Sequence, residues 1–199
     1  MYLFFDTETT GFPLKDFKDP KNPRVTQLAW ALVNEHGKPF KKYSSLIDPD
    51  GWEIPSVEQL KAQGNKNPNF FVENNMSTER CKKEGRPIEF AIKHFIEAIE
   101  ECKVMVAHNI SFDLSIMASE MYRLKKSSVN KPIKFCTMKS TTDILQLPGP
   151  NGFKWPNLTE LHNYLFGKGF EGAHDAMDDV KACANCFFEL KKRNLIVIP

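Results

Sequence analysis

Aromatic and β-branched residues cluster in three stretches near the start of the chain: Tyr2 to Glu8, Arg24 to Asn34 and Lys41 to Ile47. Punctuation separates them, as Gly11-Phe12-Pro13, Pro20 to Pro23 and His36-Gly37-Lys38-Pro39, so they predict three sequential strands in a meander. A polar, Asn-rich stretch from Gly64 to Asn75 follows, and then the period changes. From Pro87, a good first helical residue, Ile88, Ala91, Ile92, Phe95, Ile96 and Ile99 recur at three- and four-residue steps, which predicts an amphipathic helix against the sheet. Lys103 to Ala107 reads as a short strand, about Phe112 to Leu124 as a helix, and Lys125-Lys126-Ser127-Ser128 as a basic loop. Ile133 to Cys136 reads as a further strand, Asn157 to Phe166 as a helix, and Asp175 to Arg193 as a last long helix. The order βββαβα(β)αα predicts an α/β fold, a mixed sheet flanked by helices. No repeat, linker or low-complexity tract divides residues 1–199, so one domain is expected.

Composition narrows the class without changing that picture. With 199 residues, 41% hydrophobic and 26% charged, the chain can bury a core and is neither a disordered tail nor a membrane protein. Its longest apolar runs, such as Leu28 to Val33, fall far short of the roughly 20 residues that span a bilayer. Met1 leads straight into Tyr2-Leu3-Phe4-Phe5-Asp6 with no basic n-region or cleavage site, so a cytoplasmic location is expected. Cys81, Cys102, Cys136, Cys183 and Cys186 make no paired framework and read as reduced thiols. Cys183 and Cys186 have CxxC spacing inside a helix without a second ligand pair, so they read as buried small residues. A net charge of +2 is too small for a stand-alone duplex binder held by phosphate neutralisation; a nucleic acid would be gripped locally or held by a partner.

Three clusters carry chemistry. Asp6 and Glu8 sit two apart on the first strand, so both carboxylates leave the same face and can share hard cations. A DxE triplet alone is weak evidence, but here it ends an apolar strand and runs into Thr9-Thr10-Gly11, small residues that admit a ligand. The second cluster, Ala107-His108-Asn109-Ile110-Ser111-Phe112-Asp113, joins a strand to a helix. Ligands bind at such carboxyl ends, although Ser111 or Asp113 could equally serve as a helix cap. The third, Gly172-Ala173-His174-Asp175-Ala176-Met177-Asp178-Asp179, opens the last helix. There Asp175 reads as N-cap, Asp178 as solvated, and Asp179 as the acid one turn in that can face the sheet.

Taken in order, Asp6-Thr7-Glu8-Thr9-Thr10-Gly11, His108-Asn109 with Phe112-Asp113, and His174 with Ala176 and Asp179 resemble the three exonuclease motifs of the DnaQ-like DEDDh family. That family includes the proofreading subunits of bacterial replicative polymerases, and the resemblance covers nearly the whole chain. It implies an RNase H-like fold, in agreement with the βββαβα order, and a metal-dependent 3′-to-5′ exonuclease releasing nucleoside 5′-monophosphates. Phosphodiester hydrolysis is served by two divalent cations about 3.5 to 4 Å apart, and four carboxylates offer the oxygen ligands that Mg²⁺ or Mn²⁺ prefers. The resemblance implies that Asp6 bridges both metals, Glu8 and Asp179 hold the nucleophile-side metal, Asp113 holds the other, and His174 is the general base. It also implies that Thr9, Thr10 and Phe12 line the terminal-nucleotide pocket, with Asn109 and Phe112 opposite.

Departures from the family pattern bear on substrate. Phe12 stands where a Leu is usual, Pro13 to Pro23 forms an enlarged loop, and Glu73-Asn74-Asn75-Met76-Ser77-Thr78 lacks a histidine that many relatives carry. His108 is expected to be structural, His94 and His162 to be surface or packing residues, Trp30 strand core, and Trp155 with Pro156 a helix-entry anchor. The expected substrate is a nucleic acid with a free 3′ end, single-stranded or mispaired DNA ahead of RNA. An RNA-trimming exonuclease and a catalytically dead binding module docked on a polymerase are the competing readings, the second opposed by five filled catalytic positions. A polymerase partner fits the resemblance; with the sequence ending at Pro199, the expectation is a free-standing nuclease or a partner that binds the folded surface rather than a docking tail.

Overall fold

The computed structural model describes residues 1–198. Its five-stranded sheet runs β3(Pro39–Leu46), β2(Val25–Val33), β1(Tyr2–Thr9), β4(Val104–Ala107), β5(Ile133–Cys136). The first three pair antiparallel as a meander, whereas β4 and β5 add parallel to β1. β1 is therefore central, and its alternating side chains are sorted between two helical layers. Leu3 and Phe5 face α4(Ile88–Glu101) and α5(Ile110–Arg123), packing with Ile92, Phe95, Ile116 and Met117. Phe4 points the other way, to α8(Ala176–Lys192), where its ring meets Phe187 at 5.3 Å among Val180 and Cys183. Burying each such side chain contributes roughly 1.5–3 kcal/mol, which ties three helices to one strand. The same alternation sends Asp6 and Glu8 to the α8 side and Thr7 to the α5 side.

Every strand and long helix expected from periodicity is present, with ends moved by a residue or two. The helix expected from Phe112 begins at Ile110, with Asn109 in the left-handed region (φ +72°) as its first cap. Asn tolerates that conformation. Three short helices were not expected: α2(Phe70–Glu73) inside the polar stretch, and α1(Val57–Ala62) and α3(Thr78–Glu84) on either side of it. Each is too short for periodicity, yet Ser56 and Gln59 form a reciprocal capping box at α1 and Ser77 caps α3. α6(Thr137–Leu145) and a small hairpin, β6(Pro148–Gly149) with β7(Gly152–Phe153), were not expected either; α7(Leu158–Phe166) was.

Trp155 corrects the sequence reading. It is 63% exposed, not an anchor, while the neighbouring Pro156 is buried. Trp30 is core as expected, stacked on Tyr43, and Cys183 and Cys186 are buried free thiols. No helix among the described residues is long and apolar enough to cross a membrane.

Candidate active site

The carboxyl ends of β1 and β4 open onto a cavity of about 300 Å³ lined by Asp6, Thr7, Glu8, His108, Asn109, Phe112, Asp113, Asn157, Leu158, Thr159, Phe170, Ala173, His174 and Asp179. All five residues expected to carry chemistry thus converge there from three segments distant in sequence. Asp6 and Glu8 descend from β1. Asp113, only 3% exposed, comes from the first turn of α5 and accepts hydrogen bonds at one oxygen from both Thr7 N (3.0 Å) and Thr7 Oγ1 (2.8 Å). Thr7, the unremarked middle of Asp6-Thr7-Glu8, is what fixes that carboxylate.

The α8 side is built around its first turn. Asp175 is the N-cap, accepting from Met177 N and Asp178 N, and Asp178 pairs with Lys181 at 2.7 Å. Asp179 stands free of cations and accepts His174 N at 3.2 Å, so the same carboxylate steadies the loop that carries the histidine. His174 adopts φ +73° and its exposed ring meets Phe70 edge-on at 5.1 Å. The turn before it favours Gly172, because its φ of +77° strains a residue with a Cβ.

Electrostatics mark the cavity as a cation site. Among the described residues, no ion pair reaches Asp6, Glu8, Asp113 or Asp179. Burial, reinforced by Asp113, Asp179 and Glu8, holds the Asp6 carboxyl well above the ordinary carboxylate range. Burial and the Asp179 charge push Glu8 up to about 8. Burial raises Asp113 to about 7 against the lowering effect of its Thr7 hydrogen bonds, and raises Asp179 to about 6. Four acids crowded together without a counter-charge are costly, and a hard divalent cation removes the cost. Glu8, His174 and Asp179 bring ligand atoms within 4.8 Å of one another; Asp6 and Asp113 line the same cavity without joining that trio.

His108 is set apart from this chemistry. Its Nε2–H donates to the Pro156 carbonyl (2.9 Å), leaving Nδ1 to accept from Thr137 Oγ1 (3.0 Å). Burial lowers its pKa to about 4, so the ring is a neutral brace.

A second cleft of about 230 Å³ shares Thr7, Glu8 and Phe112 with the first and adds Thr9, Thr10, Gly11, Phe12, Leu60, Asn65, Asn67, Phe70 and Phe71. Phe12 is 81% exposed and meets Phe112 edge-on at 6.1 Å. The Thr9 and Thr10 hydroxyls are tied to Gly11 O and Arg24 N, shaping the wall. Leu60, Asn65, Asn67, Phe70 and Phe71 were missed in the sequence; the capping box of α1 was their available signal. The enlarged loop after Phe12 is braced within itself, where Asn22 accepts Leu14 N, and pinned to α5, where Ser119 donates to Phe17 O and Arg123 donates to Asn22 O.

Known proteins bear on this arrangement. The chain is 28% identical over 193 residues to the 3′-5′ exonuclease DinG of Bacillus subtilis, covering 96% of this chain and 18% of DinG. It is 25% identical over 186 residues to the DNA polymerase III subunit epsilon of Treponema pallidum, covering 94% of this chain and 74% of that subunit. Among solved structures, the zinc-bound form of an E. coli exonuclease I complex with single-stranded DNA shares the RNase H-like fold. Its TM-score is 0.69 at 18% identity, over 96% of this chain and 40% of that one. The chain thus spans less than half the length of DinG and exonuclease I. Residues 3–187 match the exonuclease family RNase_T, and the chain belongs to that family.

Proposed function

We propose that residues 1–199 form one exonuclease domain that removes nucleotides stepwise from the 3′ ends of single-stranded or mispaired DNA, releasing nucleoside 5′-monophosphates. One observation carries the reading: Asp6, Glu8, Asp113, Asp179 and His174 face one cavity in which the acids have no protein counter-charge. The 3′ polarity and the DNA substrate take their support from similarity to DinG and the epsilon subunit, and from the fold shared with exonuclease I.

Two ions, Mg²⁺ or Mn²⁺, fit the donor set: Glu8 and Asp179 would hold one, Asp113 would hold the other, and Asp6 would serve both. Bound there, they supply a reactive water at neutral pH and offset charge on the phosphate oxygens. Thr7 keeps Asp113 in place for its share of that load. His174, on an exposed loop beside Glu8 and Asp179, takes the proton from the attacking water. The water oxygen bonds to phosphorus, the P–O3′ bond to the preceding nucleotide breaks, and the departing O3′ takes a proton from solvent, so the shortened strand leaves with a free 3′-hydroxyl. The Phe12 and Phe112 rings bound the neighbouring cleft and hold the terminal base away from the strand behind it.

Five cysteines without a disulfide support a reducing, cytoplasmic setting. Similarity to an epsilon subunit extends the proposal to a polymerase partner.

The test incubates purified protein with 5′-labelled single-stranded DNA and RNA in Mg²⁺, Mn²⁺ or EDTA, beside Asp6→Ala. Stepwise shortening that needs metal and Asp6, faster on DNA, is expected; intact strands in every metal would sink the reading.

A further inference from the structure

The exposed Trp155 has no structural use for its indole, yet the residues around it are firmly held. The hairpin before it is closed by Pro148 and Gly149 pairing with Phe153 and Gly152, and Lys154 N donates to Leu147 O at 2.9 Å. Immediately after it, the buried Pro156 gives its carbonyl to His108 Nε2 at 2.9 Å, and Asn157 caps α7 with a full capping box. His108 is a wall of the catalytic cavity, and Asn157, Leu158 and Thr159 form the next part of that wall. Two residues of chain span at most about 7 Å, so the indole is mounted on the rim of the cavity. Trp is the largest apolar surface a side chain offers, and here it is 63% exposed at the rim of a cavity, where a ligand can cover it.

Its surroundings identify the cover. Lys139 Nζ stands 6.0 Å from the Trp155 ring centre, and Phe153, half exposed, lies two residues before it. Lys154 is paired with Glu160, so Lys139 is the cation offered to a ligand. A flat π surface beside a cation matches a nucleobase and its phosphate. The position also fits a path. The cleft under Phe12 adjoins the carboxylates on one side, and Asn157 to Thr159 lie on the cavity wall that leads to the hairpin.

We propose that Trp155 is a stacking platform for a base upstream of the scissile phosphate, with Lys139 beside the adjoining phosphate and His108 acting as a positioning residue that fixes the platform to the catalytic wall. This rests on the exonuclease reading of the same cavity. Because the stacked base belongs to the strand that stays bound, the site holds the product strand between successive cuts. Ground-state stacking lowers KM and leaves the chemical step alone.

The test compares the wild type with Trp155→Ala and Trp155→Phe on two substrates: an octathymidylate, and the p-nitrophenyl ester of thymidine 5′-monophosphate, which has no upstream base. Trp155→Ala is expected to raise KM for the octamer about tenfold, in line with the worth of base stacking on an aromatic ring. Its kcat on the octamer and its rate on the ester should match the wild type, and Trp155→Phe should recover most of the loss. A KM within twofold of wild type for Trp155→Ala overturns the proposal. A fluorescence titration separates this from the activity itself. Octathymidylate should quench the exposed indole, and the quench should vanish in Trp155→Phe, which keeps Trp30 and Trp52. If the wild type cuts nothing but the quench is present, the platform stands and the exonuclease reading falls; if the quench is absent from the wild type, the platform falls whatever the activity.

Discussion

Gln27 donates from Nε2 to Asp175 Oδ2 at 3.0 Å, and its Oε1 faces Ala176 N at 3.4 Å. Gln27 is the antiparallel partner of Glu8, so the residue on β2 opposite one of the proposed metal-holding acids also clamps the N-cap of the helix that carries Asp179. It thereby sets the distance between the β1 carboxylates and the α8 carboxylate. Gln27→Leu keeps the volume and removes both bonds. The expected stability loss is about 1–2 kcal/mol, while kcat falls about tenfold or more, with KM near that of the wild type. An unchanged kcat in steady-state assays would show that the α8 turn needs no such clamp.

The metal-free site makes a pH prediction of definite sign. Glu8 (about 8), Asp113 (about 7) and Asp179 (about 6) are all raised, and so is Asp6. Unfolded carboxyls titrate near 4. Between about pH 4 and pH 8 the folded protein therefore binds more protons than the unfolded chain, and its unfolding free energy falls as pH rises. In EDTA, Tm should be higher at pH 5 than at pH 8, and Mn²⁺ or Mg²⁺ should raise it most at pH 8. A Tm in EDTA that climbs from pH 5 to 8 contradicts this account of the cluster.

Asp6→Asn separates function from stability. It takes away the ionisable group that burial and the neighbouring Asp113, Asp179 and Glu8 hold above its usual range, and keeps the side chain's size. In EDTA at pH 8 the variant should melt above the wild type. With metal it should lose the ligand expected to serve both ions, and activity should drop on the order of a thousandfold or more. A variant that melts lower in EDTA would mean that the Asp6 carboxyl has a stabilising partner within the protein.

The layered fold and the main carboxylates were legible because each rests on strong local patterns. Period-two alternation in Tyr2 to Glu8 is enough to place both acids on one face, and the Ile88 to Ile99 spacing announces α4. What stayed hidden is long-range or short-lived in sequence. Thr7 and Gln27 take on their roles only when Asp113 and Asp175, 106 and 148 residues away, are brought to them. The wall of the second cleft from Leu60 to Phe71 lies in helices of six and four residues and the loop between them, too few turns to impose a period. Trp155 misleads for a plain reason: an aromatic followed by Pro is usually packed, and only the fold shows the proline buried and the indole outside.

His174 offers a substitution that distinguishes a proton acceptor from a loop support. Its backbone sits at φ +73° and donates from N to Asp179 Oδ2. Alanine would remove the ring and also strain this left-handed residue, whereas asparagine accepts the conformation. Asn also keeps the backbone donor. If the imidazole accepts the proton from water, His174→Asn should lower kcat by about a hundred- to ten-thousandfold with Tm within a degree or two of wild type. Metal affinity, read by the metal-induced rise in Tm, should hold as well, because Asp6, Glu8, Asp113 and Asp179 are untouched. Loss of that rise would instead make His174 a ligand alongside Glu8 and Asp179, the two residues its ring already approaches.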